Sequence, residues 1–187
     1  MIDAPHMLLM GSAGRNSGKT TFACALIKRL SGAHALFAVK VTTIQDREEV
    51  CPRGGEGCGV CVDFEEAYNI TEEQVRGGVK DTQRLLGAGA RAVYWLRVRK
   101  EHLAEGAAAL MKCVGTDVPV ICESNSLRQV LAPGCFLLFR HADATTIKAT
   151  ARAVLPLVDR TVLWDGARFD LDVAEVFLSG NRWRLGA

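Results

Sequence analysis

Met7-Leu8-Leu9-Met10-Gly11-Ser12 runs straight into Ala13-Gly14-Arg15-Asn16-Ser17-Gly18-Lys19-Thr20, after which apolar residues recur at helical spacing through Phe22, Leu26 and Leu30. An apolar strand, a loop closing on Gly-Lys-Thr and an amphipathic helix, in that order, form the P-loop pattern, here with alanine at its first glycine position. The chemistry explains the residue types. Glycines let backbone N–H groups curl around phosphates, and the helix that begins near Lys19 adds the positive end of its dipole. Ala13, Gly14, Arg15, Asn16, Ser17 and Gly18 are therefore expected to line the phosphates. Lys19 is expected on the β and γ phosphates and the Thr20 hydroxyl on Mg²⁺, with Thr21 as a helper or simply helix. The alternative is a Gly-Ser-rich turn that holds no ligand. No Lys-x-Asp occurs anywhere in the chain, so guanine has no positive support and the ligand is left as ATP or GTP.

Outward from this loop, apolar runs alternate with helical patterns. Strands are expected at Ala35 to Val39, Ala92 to Leu96, Val118 to Cys122, Cys135 to Phe139 and Thr161 to Trp164. Helices are expected at Lys80 to Leu86, closed by Gly87 and Gly89, and at Glu101 to Val114, Ala144 to Val158 and Asp172 to Leu178. Strands that read as nearly continuous apolar runs between helices predict a three-layer α/β/α fold on a mostly parallel sheet, covered on both faces. The chain reads as one domain over residues 1–187.

Residues 44–63 break that rhythm with Gly54, Gly55, Gly57 and Gly59 and almost no apolar periodicity. Within this insert Cys51, Cys58 and Cys61 place three thiols in a C-x6-C-x2-C array. Soft thiolates in a glycine-rich segment suit zinc or an iron-sulfur cluster, either of which ordinarily takes four protein ligands. A fourth ligand is left open among His34, Asp46, another cysteine, an external group, or a second copy of the chain across a two-fold axis. Unligated thiols, or a redox pair, are the plainer alternative. Cys24, Cys113, Cys122 and Cys135 fall in expected helices and strands and read as small core residues.

Two further side chains reach the edge where open α/β sheets bind ligands. Glu123 ends the run Val118 to Cys122 and is followed by Ser124-Asn125-Ser126, and Lys40 closes the second strand. Lys40 is expected to neutralise a substrate or the γ-phosphate at this edge, and each of the two has a plain alternative as a solvated strand-end charge. Asp165 has the same local look as Glu123, but Asp165-Gly166 is also an ordinary turn signal. Trp95 and Trp164 read as packing, Trp183 as a cap on the sheet, and the four histidines as surface or core.

Composition bounds the rest. The 187 residues are 49% hydrophobic and 24% charged, enough for a substantial core. A net charge of +2 gives no electrostatic reason to expect nucleic acid. No apolar run reaches the length of a membrane span, and the first residues lack the basic region of a signal peptide, so a cytoplasmic protein is expected.

Three segments together resemble the MobB family of molybdopterin guanine dinucleotide biosynthesis: Leu8 to Thr21, Val39-Lys40 followed by threonines, and Lys80-Asp-Thr-Gln-Arg-Leu-Leu-Gly-Ala-Gly-Ala90. They cover about a quarter of the chain. Dethiobiotin synthetase is a more distant likeness. The resemblance implies the SIMIBI class of P-loop NTPases, which includes metal-centre maturation factors such as HypB and UreG and often works as dimers. It implies that Glu123 helps to hold Mg²⁺ or orients an attacking water, and that a homodimer serves a cofactor-biosynthesis or metalloenzyme client. The histidines that follow the family's lysine are here Thr42 and Thr43, and its Glu-Gly is here Glu123-Ser124. The expected activity is slow, Mg²⁺-dependent hydrolysis of ATP or GTP coupled to molybdenum-cofactor or metal-centre assembly. A ligase or small-molecule kinase of dethiobiotin-synthetase type, and a nucleotide-sensing adaptor with negligible hydrolysis, remain as alternatives.

Overall fold

A computed structural model describes residues 1–44 and 64–186. The first apolar run extends in both directions into an 11-residue strand, β1 (Ile2–Ser12), and helix α1 (Lys19–Leu30) follows the loop. Next come β2 (Phe37–Ile44), β3 (Tyr68–Glu72), α2 (Asp81–Gly87), β4 (Ala92–Arg99) and α3 (Leu103–Val114). The chain continues through β5 (Val120–Glu123), β6 (Leu131–His141), α4 (Ala149–Arg152) and β7 (Arg160–Trp164), and ends in a hairpin of β8 (Val176–Ser179) and β9 (Arg182–Leu185).

Seven strands form one sheet in the order β3-β4-β2-β5-β1-β6-β7. Every pairing in it is parallel except that of β3 with β4. The mostly parallel α/β expectation is met, with an antiparallel edge strand added. Alternation along the strands divides the core. On one face Leu8, Met10, Ala38, Val93, Ile121 and Phe139 pack under α1, α2 and the terminal hairpin. On the other, Leu9, Val39, Leu96, Val98, Val120 and Phe136 pack under α3 and Val154. Both faces are thus covered, as near-continuous apolar strands require.

Two expectations are corrected, and one strand is added to them. β3 was not anticipated, because Tyr68-Asn-Ile-Thr-Glu72 lies at a half-exposed edge and carries no apolar run. In the segment Ala144 to Val158, only Ala149–Arg152 is α-helical, and a 3-10 turn containing Pro156 follows. Asp172 to Leu178 is not a helix. Its capping box, Asp172 with Glu175, closes a single 3-10 turn, and Val176-Phe-Leu then enters β8.

Candidate functional site

β1 lies in the middle of the sheet, so the loop that leaves it opens onto the carboxyl edge where ligands collect in such folds. The loop is built to keep its amides pointing outward. Asn16 and Gly18 both adopt left-handed backbone, at φ 53° and 76°, and alternation of hand turns successive N–H groups toward one concavity. At Gly18 a Cβ would also meet Phe169 at 2.7 Å and Trp164 at 2.9 Å, so glycine is required there twice over. α1 then begins with no side-chain cap and no acidic residue in its first turn, which leaves its amide donors and dipole for an anion.

Buried hydroxyls and a neighbouring strand hold the loop from beneath. Ser17 Oγ donates to Ser12 Oγ at 3.1 Å, and Ser12 Oγ donates to the Gly14 carbonyl. Ala13 N–H donates to Phe139 O at 2.8 Å, and Lys148 N–H donates to Ala13 O at 2.9 Å. Asn125 grips Ser12 on both sides: its Oδ1 accepts from Ser12 N–H at 2.7 Å, and its Nδ2 donates to Ser12 O at 3.0 Å.

The charged groups converge at the head of α1. β5 pairs Glu123 with Met10 on one side and with Lys40 on the other. Glu123 is only 3% exposed. Its Oε1 accepts from the Thr20 hydroxyl at 2.7 Å, and its Oε2 forms an ion pair with Lys19. The alternative of a solvated strand-end carboxylate therefore does not hold for Glu123. Lys40 does not stand free either, because it is paired with Asp81 at the start of α2. Burial alone would raise the Asp81 pKa, but the hydrogen bond and charge of Lys40, with Lys19 and Arg84 beyond, outweigh it and hold this carboxyl below its ordinary value.

Lys19, Thr20 and Asp81 edge a cleft of about 450 Å³, lined also by Ser12, Gly14, Arg15, Asn16, Ser17, Gly18, Thr21, Arg84 and Trp164. The expected phosphate binders Gly14 to Thr21 are in that lining, whereas Lys40 is not and Ala13 is buried. No protein-family model, curated protein or solved structure matches the chain.

Sequence reasoning left Asp81 unassigned and did not single out Arg84, Ser12 or Asn125. It read Trp164 as packing only. A usable signal existed for Asp81 and Arg84, one helical turn apart at the start of a segment that packs beside α1. Nothing local marks Asn125, whose role comes from a strand 113 residues away.

The hard-oxygen pair Thr20 and Glu123 suits Mg²⁺, which typically takes one or two protein oxygens and completes its shell from phosphates and water. Cys51, Cys58 and Cys61, with Asp46, lie outside the described residues. Among the described residues no group of three or more His, Cys, Asp or Glu side chains is placed to hold a metal. Of the other cysteines, Cys122 and Cys135 are buried as expected, Cys24 is half-buried, and Cys113 is exposed, contrary to its reading as core. Burial pushes the Cys135 thiol up to about 12 and the Cys122 thiol higher still, which keeps both protonated and inert.

Proposed function

We propose that the chain binds and hydrolyses a nucleoside triphosphate, ATP or GTP, with Mg²⁺. The observation that carries this reading is the convergence of Lys19 and Thr20 on one buried carboxylate, Glu123, at the mouth of a loop with two left-handed residues and an uncapped helix start. A loop that served only as a turn would have no need of these three together.

In this reading Lys19 exchanges its contact with Glu123 for the β and γ phosphate oxygens, and the loop amides take the remaining charge. Thr20 and Glu123 would hold Mg²⁺, which supplies neutralisation of the phosphate charge. Released from Lys19, the Glu123 carboxylate also orients a water for in-line attack on the terminal phosphorus. Preorganised donors and positive charge then stabilise the transferring phosphoryl group, and no covalent enzyme intermediate is required. Asp81, which lines the cleft, is paired with Lys40, which does not.

The sequence resemblance to the MobB family extends the proposal to molybdenum-cofactor or metal-centre assembly, with a dimer and a client protein as its setting. The direct test is calorimetry of Mg²⁺ with ATP or GTP on the full chain and on Lys19→Ala. Binding by the parent and a loss of tenfold or more in the variant is expected. Unchanged affinity would remove the proposal.

A further inference from the structure

We propose that the indole of Trp164 is the platform on which the base of the nucleoside triphosphate stacks. This rests on the phosphate-loop reading and deepens it.

Trp164 is the last residue of β7, at the carboxyl edge of the sheet, and it forms part of the cleft wall together with the loop. Its ring lies against the loop's last turn, close enough that a Cβ on Gly18 would meet its Cδ2 at 2.9 Å. Phe169 backs the indole, with ring centroids 4.3 Å apart and planes inclined by 34°. Phe169 is itself held edge-on by Phe22 at 5.1 Å and Phe139 at 6.1 Å, so the indole is braced by the core. A large aromatic surface held in place before the ligand arrives costs little ordering on binding.

The spacing fits a nucleotide laid across the edge. Glu123 ends β5 and Trp164 ends β7, with β1 and β6 between them. Three strand spacings are about 14 Å, comparable to the reach of an extended nucleoside triphosphate from its terminal phosphate to its base. The phosphates would lie over β1 and α1, the reacting end toward β5, and the base toward β7. A cleft of about 450 Å³ has room for more than the phosphates. The neighbouring Asp165 is fully exposed, and its Oδ1 accepts from Ala167 N–H and Arg168 N–H, both at 2.7 Å, closing its own turn. The aromatic face supplies a base contact of its own, and stacking is tolerant of base identity.

The experiment is calorimetry with Mg²⁺ and three ligands, ATP, GTP and inorganic tripolyphosphate, on the full chain and on Trp164→Ala and Trp164→Phe. Trp164→Ala is expected to weaken ATP and GTP by about tenfold or more while leaving tripolyphosphate within about twofold, and Trp164→Phe to recover most of the loss. Unchanged nucleotide affinity in Trp164→Ala overturns the platform. So does an equal loss for tripolyphosphate, which would mean that the indole only props Gly18. Failure of the phosphate-loop reading looks different: tripolyphosphate binding would then be insensitive to Lys19→Ala with Trp164 intact.

Discussion

Glu123 is the residue at which the charged groups at the head of α1 converge. A carboxylate 3% exposed would be costly alone, yet here it accepts a hydrogen bond from Thr20 and an ion pair from Lys19. Glu123 Oε2 has no hydrogen-bond partner beyond that ion pair, so in the proposed function an anion competes with this carboxylate for the lysine. Replacing Glu123 with Gln keeps the shape and an oxygen for Thr20 while removing the competing charge. Glu123→Gln should therefore retain Mg²⁺-nucleotide binding within about tenfold, whereas phosphate release falls by about a hundredfold or more, as expected for loss of a positioned general base. Parallel calorimetry and phosphate-release assays check this. Full activity in the variant would leave Glu123 as a structural partner of α1 and nothing more.

At the scale of elements, the loop is held by a substitute for a strand. β5 ends at Glu123, and after Ser124 N–H donates to Met10 O at 3.1 Å the backbone ladder beside β1 stops. Asn125 continues it with its side-chain amide, giving Ser12 both an acceptor at 2.7 Å and a donor at 3.0 Å. Asn125→Ala strands both Ser12 groups in a partly buried place, at a cost of about 2 kcal/mol. The thermal midpoint should fall by about 5 °C, and tripolyphosphate affinity should fall with it because Ser12 anchors the loop. A thermal scan and calorimetry on the variant test the coupling, and loss of stability with phosphate affinity intact would break it. This dependence shows why part of the site was not legible in the sequence. The loop, Lys19, Thr20 and Glu123 were, since a strand–loop–helix pattern and a strand-end carboxylate are local signals. Asn125 and the Lys40–Asp81 pair arise from register across the sheet and from helix placement. The same distinction governs the elements. β1, β2, β4 and β5 announce themselves by apolar runs, whereas β3 is specified by its pairing with β4 along residues that alternate too weakly to stand out. The capping box at Asp172 opens only one turn, and Val176 and Phe177 after it carry the chain into β8.

Across the whole molecule, the two ends of the chain meet beneath α1's face of the sheet, and the meeting point is titratable. Trp183 in β9 is 1% exposed, and its indole Nε1 donates to the backbone oxygen of His6 in β1 at 2.9 Å, joining residues 177 apart. The His6 side chain is itself only 3% exposed, and its Nε2 has no partner. Burial lowers its pKa from the ordinary 6.5, and this outweighs the opposing pull of the Gly115 backbone and of the Asp117 and Asp3 charges. The native state therefore binds the proton less readily than the unfolded chain does. For such a group the contribution to stability is complete above the unfolded value and is lost as pH falls through the folded one. His6→Gln removes the titration but keeps a polar side chain. Urea denaturation of the parent and of His6→Gln at pH steps from about 7.5 to 5 should show the parent losing stability relative to the variant, beginning near pH 6.5, with a slope no steeper than about 1.4 kcal/mol per pH unit. Comparing the two proteins at each pH cancels the carboxylates common to both. A stability difference constant across that range would mean that His6 protonates as readily in the folded protein as in the unfolded chain, and that the junction of the two termini tolerates the charge.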